Sequence, residues 1–383
     1  MCDYLEIAPS IFNHPTIARP IINVSTTRLL SNTLVLGLTL TLCGATASVA
    51  ATATTDPVGY NTISLLANSD TYVSVPFHRP AAFVGQVSSF SGNVITVAGT
   101  PGWTASQFVY ASGTQANTYY AFIRSGTKEG NYYTVTANAG NTLTIDLAGD
   151  TLTGLAANDS ISIIPYWTLG TLFPAADAGV SFTTSASPFA VQTYVLIPNL
   201  QASGINLSTT SSYFFYNGAW RLFGQDLTVS RNDDTLIPDT YFIVRNNASA
   251  GTLTQTGSVL TKKFVTPLQT YTGGKQDNPV ALLRPVPVTL DDSGLAASGA
   301  FSASSSPLNL SDILLVFDNT VAAKNKSSSA TYYYYNGAWR KFGADASQNF
   351  GSTVVFGPGT GVQIRKATSS TGSASIWTNS ATY

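Results

Sequence analysis

Two segments of the chain combine a tryptophan, an arginine and a run of aromatic residues in the same order. They read YFFYNGAWRLFGQD at 213–226 and YYYYNGAWRKFGAD at 332–345. When exposed, such aromatic rings can stack on the faces of sugar rings. The candidate ligand-stacking residues are Tyr213, Phe215, Trp220, Arg221, Tyr332, Tyr334, Trp339 and Arg340.

The local sequence predicts that each segment forms a β-hairpin. Asn-Gly between two aromatic runs favours a two-residue type I′ turn, because both central residues of that turn have positive φ. With Asn217-Gly218 at the turn, Phe215 faces Trp220 across the hairpin, and the second segment pairs Tyr334 with Trp339 in the same way.

Side chains alternate between the two faces of a sheet, so each hairpin is aromatic on both faces. One face must pack into a core, since two exposed aromatic faces would form a large apolar patch. Two interpretations stay open. In the first, Trp220 and Trp339 are core residues and the neighbouring arginines cover Phe214 and Tyr333 through cation–π contacts. In the second, the aromatic residues form a sugar-binding platform.

Residues suited to catalysis are scarce beyond residue 50. His78 is the only histidine there, and its loop PFHRP predicts a surface or capping residue. Glu129 is the only glutamate, and most aspartates stand beside Gly, Asn, Ser or Thr, where turns favour them. A triad on His78 would also need a nucleophile motif that is absent. We predict that the protein is not an enzyme and has no catalytic residue, cofactor or metal site.

The composition favours an extracellular β-rich protein. Only 10% of the 383 residues are charged, against about 25% in typical globular proteins, and the net charge is −1. Basic and acidic residues are nearly equal in number, so the chain lacks the excess positive charge that binds nucleic acid, and we expect no nucleic-acid partner.

Residues 1–50 are predicted to be a leader and signal peptide. The apolar run LLSNTLVLGLTLTL at 29–42 follows Arg28, and Ser48-Val49-Ala50 offers a small-residue cleavage site after Ala50. The run is too short to span a bilayer, so we expect no integral membrane span. Removal of this leader also removes both cysteines, Cys2 and Cys43.

From Asp56 onward, short alternating runs rich in β-branched and aromatic residues predict an all-β fold. We predict a small β-barrel or sandwich domain at 56–170, followed by two repeated β-sandwich-like modules. The first copy covers 171–250, the second covers 299–383, and 251–298 forms a linker or edge strands. Matching segments at offsets of about 119 residues, such as FTTSASPF over FSASSSPL, support this repeat.

Several segments together resemble a family of uncharacterised secreted proteins from verrucomicrobial bacteria. They include DPVGY, YVSVPFHRP, PGWTASQFVY, RSGTKEGNYYTVTANAGNTLTI, IIPYWTLGTLFP, GINLS and the twin YNGAWR motifs. The resemblance covers nearly all of the chain after the leader. It implies export but no activity, substrate or site residue.

These features predict an exported, non-catalytic protein with a structural or surface-associated role, secreted or held at the cell surface or in the periplasm. The alternative is a carbohydrate-binding protein that uses the aromatic hairpins. The corresponding partners are extracellular polysaccharide or envelope components. The oligomeric state is left open.

Overall fold

The computed structural model describes residues 56–174 and 182–383, and the predicted leader lies outside these ranges. The described chain is almost entirely β-structure, which confirms the predicted fold class. Its one short helix, α1 (Leu169–Leu172), begins after Thr168, whose side chain accepts a hydrogen bond from the backbone N–H of Thr171.

Six strands close into a barrel in the order β3-β4-β7-β6-β5-β8. Glycines with positive φ form the turns of two of its hairpins, Gly92 between β3 and β4 and Gly140 between β6 and β7. The strands are β3 (Phe83–Ser91), β4 (Val94–Val97), β5 (Tyr119–Ile123), β6 (Tyr132–Ala139), β7 (Thr142–Ile145) and β8 (Ser160–Pro165).

The barrel has its own core because alternate residues of its strands point inward. Ile95, Leu143 and Ile163 are completely buried there, and Trp103 packs edge-on against Phe108. The barrel therefore holds a closed hydrophobic interior.

A first five-stranded sheet has the order β12-β11-β10-β14-β2. Its strands are β2 (Ser69–Val73), β10 (Thr193–Pro198), β11 (Thr209–Tyr216), β12 (Ala219–Leu222) and β14 (Phe242–Asn246). Two small sheets pack on its inner face; they pair β1 (Val58–Leu65) with β15 (Gly251–Ser258) and β9 (Trp167–Thr168) with β13 (Thr235–Leu236). We name this unit module 1; its described residues are 56–82, 166–174 and 182–259.

A second five-stranded sheet has the matching order β21-β20-β19-β23-β17. Its strands are β17 (Gln276–Ala281), β19 (Ile313–Val316), β20 (Ala330–Tyr335), β21 (Ala338–Lys341) and β23 (Gly361–Lys366). Two small sheets again pack on its inner face; they pair β16 (Phe264–Leu268) with β24 (Ser375–Asn379) and β18 (Val288–Thr289) with β22 (Val354–Phe356). We name this unit, residues 260–383, module 2.

The strand pairing divides the chain differently from the prediction. Strands β1 and β2, predicted to belong to the N-terminal domain, pair with β15 and β14 of module 1. The barrel is therefore inserted between β2 and β9. The predicted linker at 251–298 supplies β15 to module 1 and β16, β17 and β18 to module 2. Partners as distant in sequence as Ser69 and Asn246 leave no local pattern that would reveal their pairing.

The outer face of the barrel packs against the start of module 2. Tyr120 and Phe122 of the barrel lie in one buried cluster with Leu260 and Phe264. The ring of Phe264 also stacks on Tyr132, with 5.5 Å between ring centroids. This apolar contact ties the inserted barrel to the second module.

Candidate functional site

The two predicted hairpins form with the predicted register. Phe215 pairs with Trp220, and Tyr334 pairs with Trp339. Asn217 and Gly218 have φ of 48° and 75°, as a type I′ turn requires. The Asn-Gly turn thus sets which aromatic residues face each other.

Both hairpin tryptophans are buried. Trp220 is 1% exposed and packs against Phe173 and Phe215 in the core of module 1. Trp339, also 1% exposed, packs against Phe301 and Tyr334 in the core of module 2. Neither indole ring offers a face to a ligand.

The other candidate stacking residues are also covered. The structure places the two sets in separate cores rather than on one surface. Arg221 lies opposite Phe214 in the hairpin, is buried, and donates to the backbone carbonyls of Tyr216, Asn217 and Thr228. No cation–π contact between Arg221 and Phe214 forms among the described residues. Arg340, Tyr213 and Tyr332 are buried, while Phe215 and Tyr334 are half-buried.

His78 lies in the interior, which corrects the expectation of a surface or capping residue. Its side chain is 2% exposed, its Nδ1 lies 2.8 Å from the carbonyl of Arg79, and its Nε2 lies 3.7 Å from Asp56. Burial is the main cause that lowers the pKa of His78. The backbone of His78 pairs with that of Ser258, the last residue of β15.

The two modules meet through loops that cross from each module to the edge strand of the other. In the loop after β19, the carbonyl of Ala323 accepts the N–H of Asp70 on β2 at 2.8 Å. In the loop after β10, the carbonyl of Gly204 accepts the N–H of Asp277 on β17 at 2.9 Å. Each crossing loop covers an exposed sheet edge, which would otherwise be free to pair with another chain.

Each crossing loop contacts a bidentate ion pair between an arginine and an aspartate. Arg245 holds Asp70 with nitrogen–oxygen distances of 2.7 and 2.8 Å, and the backbone N–H of Asn325 donates to the same carboxylate at 2.7 Å. The Asn325 side chain in turn accepts from Arg245.

Module 2 repeats this arrangement with the roles of the modules exchanged. Arg365 holds Asp277 at 2.6 and 2.9 Å, and the N–H of Asn206 in module 1 donates to Asp277 at 2.6 Å. Asn206 and Asn325 both have positive φ, 54° and 51°. Each module therefore completes the charged cluster of the other.

A groove runs between the crossing loops, and we call it the inter-module groove. One part of it, about 580 Å³, has an aromatic floor in which Tyr72 stacks on Phe317 with 3.9 Å between ring centroids and Tyr241 meets Tyr72 edge-on. Its walls are polar and consist of Asn206, Thr209, Asn325, Lys326, Ser327, Ser328, Gln363 and Arg365.

A second part of the groove, about 500 Å³, continues over the outer face of the module 1 sheet. It shares Tyr72, Asn325 and Ile243 with the first part and reaches Tyr194 and Phe223. Phe223 follows β12 and is 54% exposed, so an aromatic ring stands open at this end. Both volumes lie within the usual range of about 300–1,000 Å³ for ligand pockets.

The groove was not predicted from the sequence, because its residues come from segments as far apart along the chain as Tyr72 and Arg365. Two signals were nevertheless present. DTYVSVPF at 70–77 resembles QTYVLIP at 192–198, which marks β2 as a strand like those of the modules. Arg245 and Arg365 also end matching segments of the two copies, PDTYFIVR and PGTGVQIR.

Across residues 56–174 and 182–383, no cluster of three histidine, cysteine, aspartate or glutamate side chains is arranged to hold a metal ion. The same residues contain no helix with the length and apolar character needed to cross a membrane. The chain matches no protein family model, no curated protein and no solved structure.

Proposed function

We propose that this chain is an exported, non-catalytic, surface-associated β-protein with a structural role, built from two repeats of one module. The observation that carries the proposal is the reciprocal docking of the modules. The β2 edge of the first sheet and the β17 edge of the second are each covered by a loop from the other module. Each Asp–Arg pair is completed by an asparagine from the other module. Such an arrangement favours one rigid body over two mobile domains.

The predicted leader and the low charge content support export. The likeness to secreted verrucomicrobial proteins stays a prediction and is consistent with it. Expression of the full chain in a bacterial host, followed by fractionation and N-terminal sequencing, tests this part. We expect a mature protein that begins at Ala51 outside the cytoplasm, and full-length cytoplasmic protein would contradict export.

The structural role is tested on the exported mature protein. We expect purified protein to form ordered assemblies or to bind isolated cell envelopes, as seen by electron microscopy and sedimentation. Turnover of substrates in a panel of polysaccharides, without assembly or envelope binding, would instead identify an enzyme.

Carbohydrate binding is the second candidate, and the inter-module groove favours it over the hairpin cores. The hairpin tryptophans are buried, whereas the groove combines an exposed aromatic ring at Phe223 with hydroxyl and amide side chains. Such a lining matches a ligand with apolar ring faces and many hydroxyl groups. Calorimetric titration of the mature protein with soluble polysaccharides tests this candidate, and no heat with any polysaccharide would contradict it.

A further inference from the structure

The charges around the inter-module groove are unevenly distributed. The first part of the groove is lined by two cations, Lys326 and Arg365, and by no carboxylate. Asp277, the partner of Arg365, has a side chain that is 0% exposed, while that of Arg365 is 18% exposed. The cations are therefore accessible from the groove, whereas the carboxylate of Asp277 is not.

Lys326 adds a charge that has no salt-bridge partner among the described residues. Its ammonium group donates one hydrogen bond, to the backbone carbonyl of Asp318 at 2.8 Å, and keeps further N–H groups free to donate. Module 1 has an apolar residue, Leu207, at the matching place after Asn206. It does contribute Arg245, whose side chain is 26% exposed in the second part of the groove while its partner Asp70 is 2% exposed. Module 2 therefore supplies one more cation to the groove than module 1 does.

The opposite end of the groove carries an open aromatic ring among polar side chains. Phe223 lies beside Tyr194, with 6.2 Å between ring centroids, and its side chain is 54% exposed, so one face is open to a ligand. The equivalent Phe342 of module 2 is 63% exposed but does not line the groove. A ligand that satisfies both ends must carry an anionic group and a ring face on one extended chain.

The geometry points to an acidic polysaccharide, a saccharide chain that carries carboxylate groups, as the ligand of the inter-module groove. Its carboxylate lies against Lys326 and Arg365, a sugar ring further along stacks on Phe223, and hydroxyl groups meet Asn325 and Gln363. This inference rests on the carbohydrate-binding candidate above. It adds the class of saccharide and the residues that select it.

The test is calorimetric titration of the mature protein with oligosaccharides of polygalacturonate, alginate and hyaluronate, each beside its carboxyl-reduced neutral form. We expect at least one acidic chain to bind about 10-fold or more tightly than its neutral form at low salt, with the difference shrinking as salt screens the charges. Lys326→Leu, which installs the residue of module 1, should reduce that difference, and Arg365 should account for the part that remains. Phe223→Ala should weaken the acidic and neutral forms alike.

Two variants serve as matched controls. Lys324→Leu removes a charge from the same loop outside the groove lining, and Phe342→Ala removes the equivalent exposed ring from module 2. Neither should change the affinity.

Three results would overturn the inference in distinguishable ways. Equal affinity for acidic and neutral chains, unchanged in Lys326→Leu, would reject the acidic class but leave carbohydrate binding intact. An absence of binding by every chain would reject both. Equally tight binding of monomeric galacturonate or inorganic phosphate, unaffected by Phe223→Ala, would identify a simple anion site.

Discussion

Asp239 shows how a single buried carboxyl makes the stability of this protein depend on pH. It lies between the barrel and the two modules, where it accepts a hydrogen bond from Tyr132 at 2.9 Å, and its residue is 5% exposed. Burial raises the pKa of Asp239 from 3.8 to about 6, although the hydrogen bonds from Tyr132 and Thr266 oppose the shift. The folded protein therefore favours the protonated acid.

Because the pKa is higher in the folded state than in the unfolded state, protonation of Asp239 contributes to the free energy of unfolding. This contribution is complete below about pH 4 and is lost as the pH rises to about 6. At 1.36 kcal/mol per pKa unit, the loss amounts to about 3 kcal/mol. Asp56 and Asp150, whose pKa values are lowered, act in the opposite direction. We therefore expect urea unfolding of Asp239→Asn, compared with wild type between pH 4 and 7, to show a difference that grows with pH. A constant difference would contradict the assignment.

The pair Lys366 and Asp312 is the second buried charge of consequence. Both residues are almost fully buried, their side chains form an ion pair, and Asp312 also accepts backbone N–H groups from Ser302 and Ala367. Removal of one member of such a pair leaves an uncompensated buried charge, which typically costs about 3–5 kcal/mol.

Module 1 provides the matched replacement for this pair. Its strands place Thr193 opposite Asn246, both buried, where module 2 has Asp312 and Lys366. We expect Lys366→Asn to lower the free energy of unfolding by about 3–5 kcal/mol, and the double variant Asp312→Thr/Lys366→Asn to recover more than half of it. Chemical denaturation measures both, and additive losses in the double variant would show that the charges are not coupled.

At the level of the elements, the hairpins were predictable because their information is local. The Asn-Gly dipeptides specified the turns, and the turns specified every cross-strand pair. Which hairpin face was buried could not be predicted, since both faces are aromatic; it depends on Phe173 and Phe301, which reach the tryptophans from outside the hairpins. The barrel hairpins at Gly92 and Gly140 were predictable for the same local reason.

Two glycines are needed for different reasons, one for its backbone conformation and the other because a side chain packs against it. Gly337 has φ of 71° at the second hairpin turn and open space around an added Cβ, so Gly337→Ala carries only the backbone cost of about 1–2 kcal/mol. Gly361 on β23 lies under Tyr241, and a Cβ there would stand 2.2 Å from the Tyr241 Cβ. We expect Gly361→Ala to lower the melting temperature more than Gly337→Ala does. The reverse order would show that Tyr241 moves aside at little cost.

At the scale of the whole molecule, the sequence revealed the units but not their assembly. The alternation within a strand predicts which of its residues face a core, yet it does not identify the partner strand. The inserted barrel, residues 83–165, also separates β1 and β2 from the rest of module 1 along the chain. The groove, the crossing loops and the Asp–Arg–Asn clusters all depend on that long-range pairing. These features become visible only when β2 and β17 are seen to occupy equivalent edges of the two sheets.

Because the two sheet edges are equivalent, their ion pairs should contribute similar amounts to the free energy of unfolding. Asp70→Ala and Asp277→Ala each leave one arginine and one asparagine N–H without their carboxylate. Because Arg245 and Arg365 have side chains that are 26% and 18% exposed, solvent offsets part of the cost, and we expect a loss of about 1–3 kcal/mol for each variant rather than the full value for a buried pair. The two losses should be similar, and calorimetry should still show the modules melting together. A large loss of unfolding free energy for one variant alone would show that the two clusters do not contribute equally. Separate unfolding transitions for the two modules would show that they are not stabilised by each other, and either result would contradict reciprocal docking.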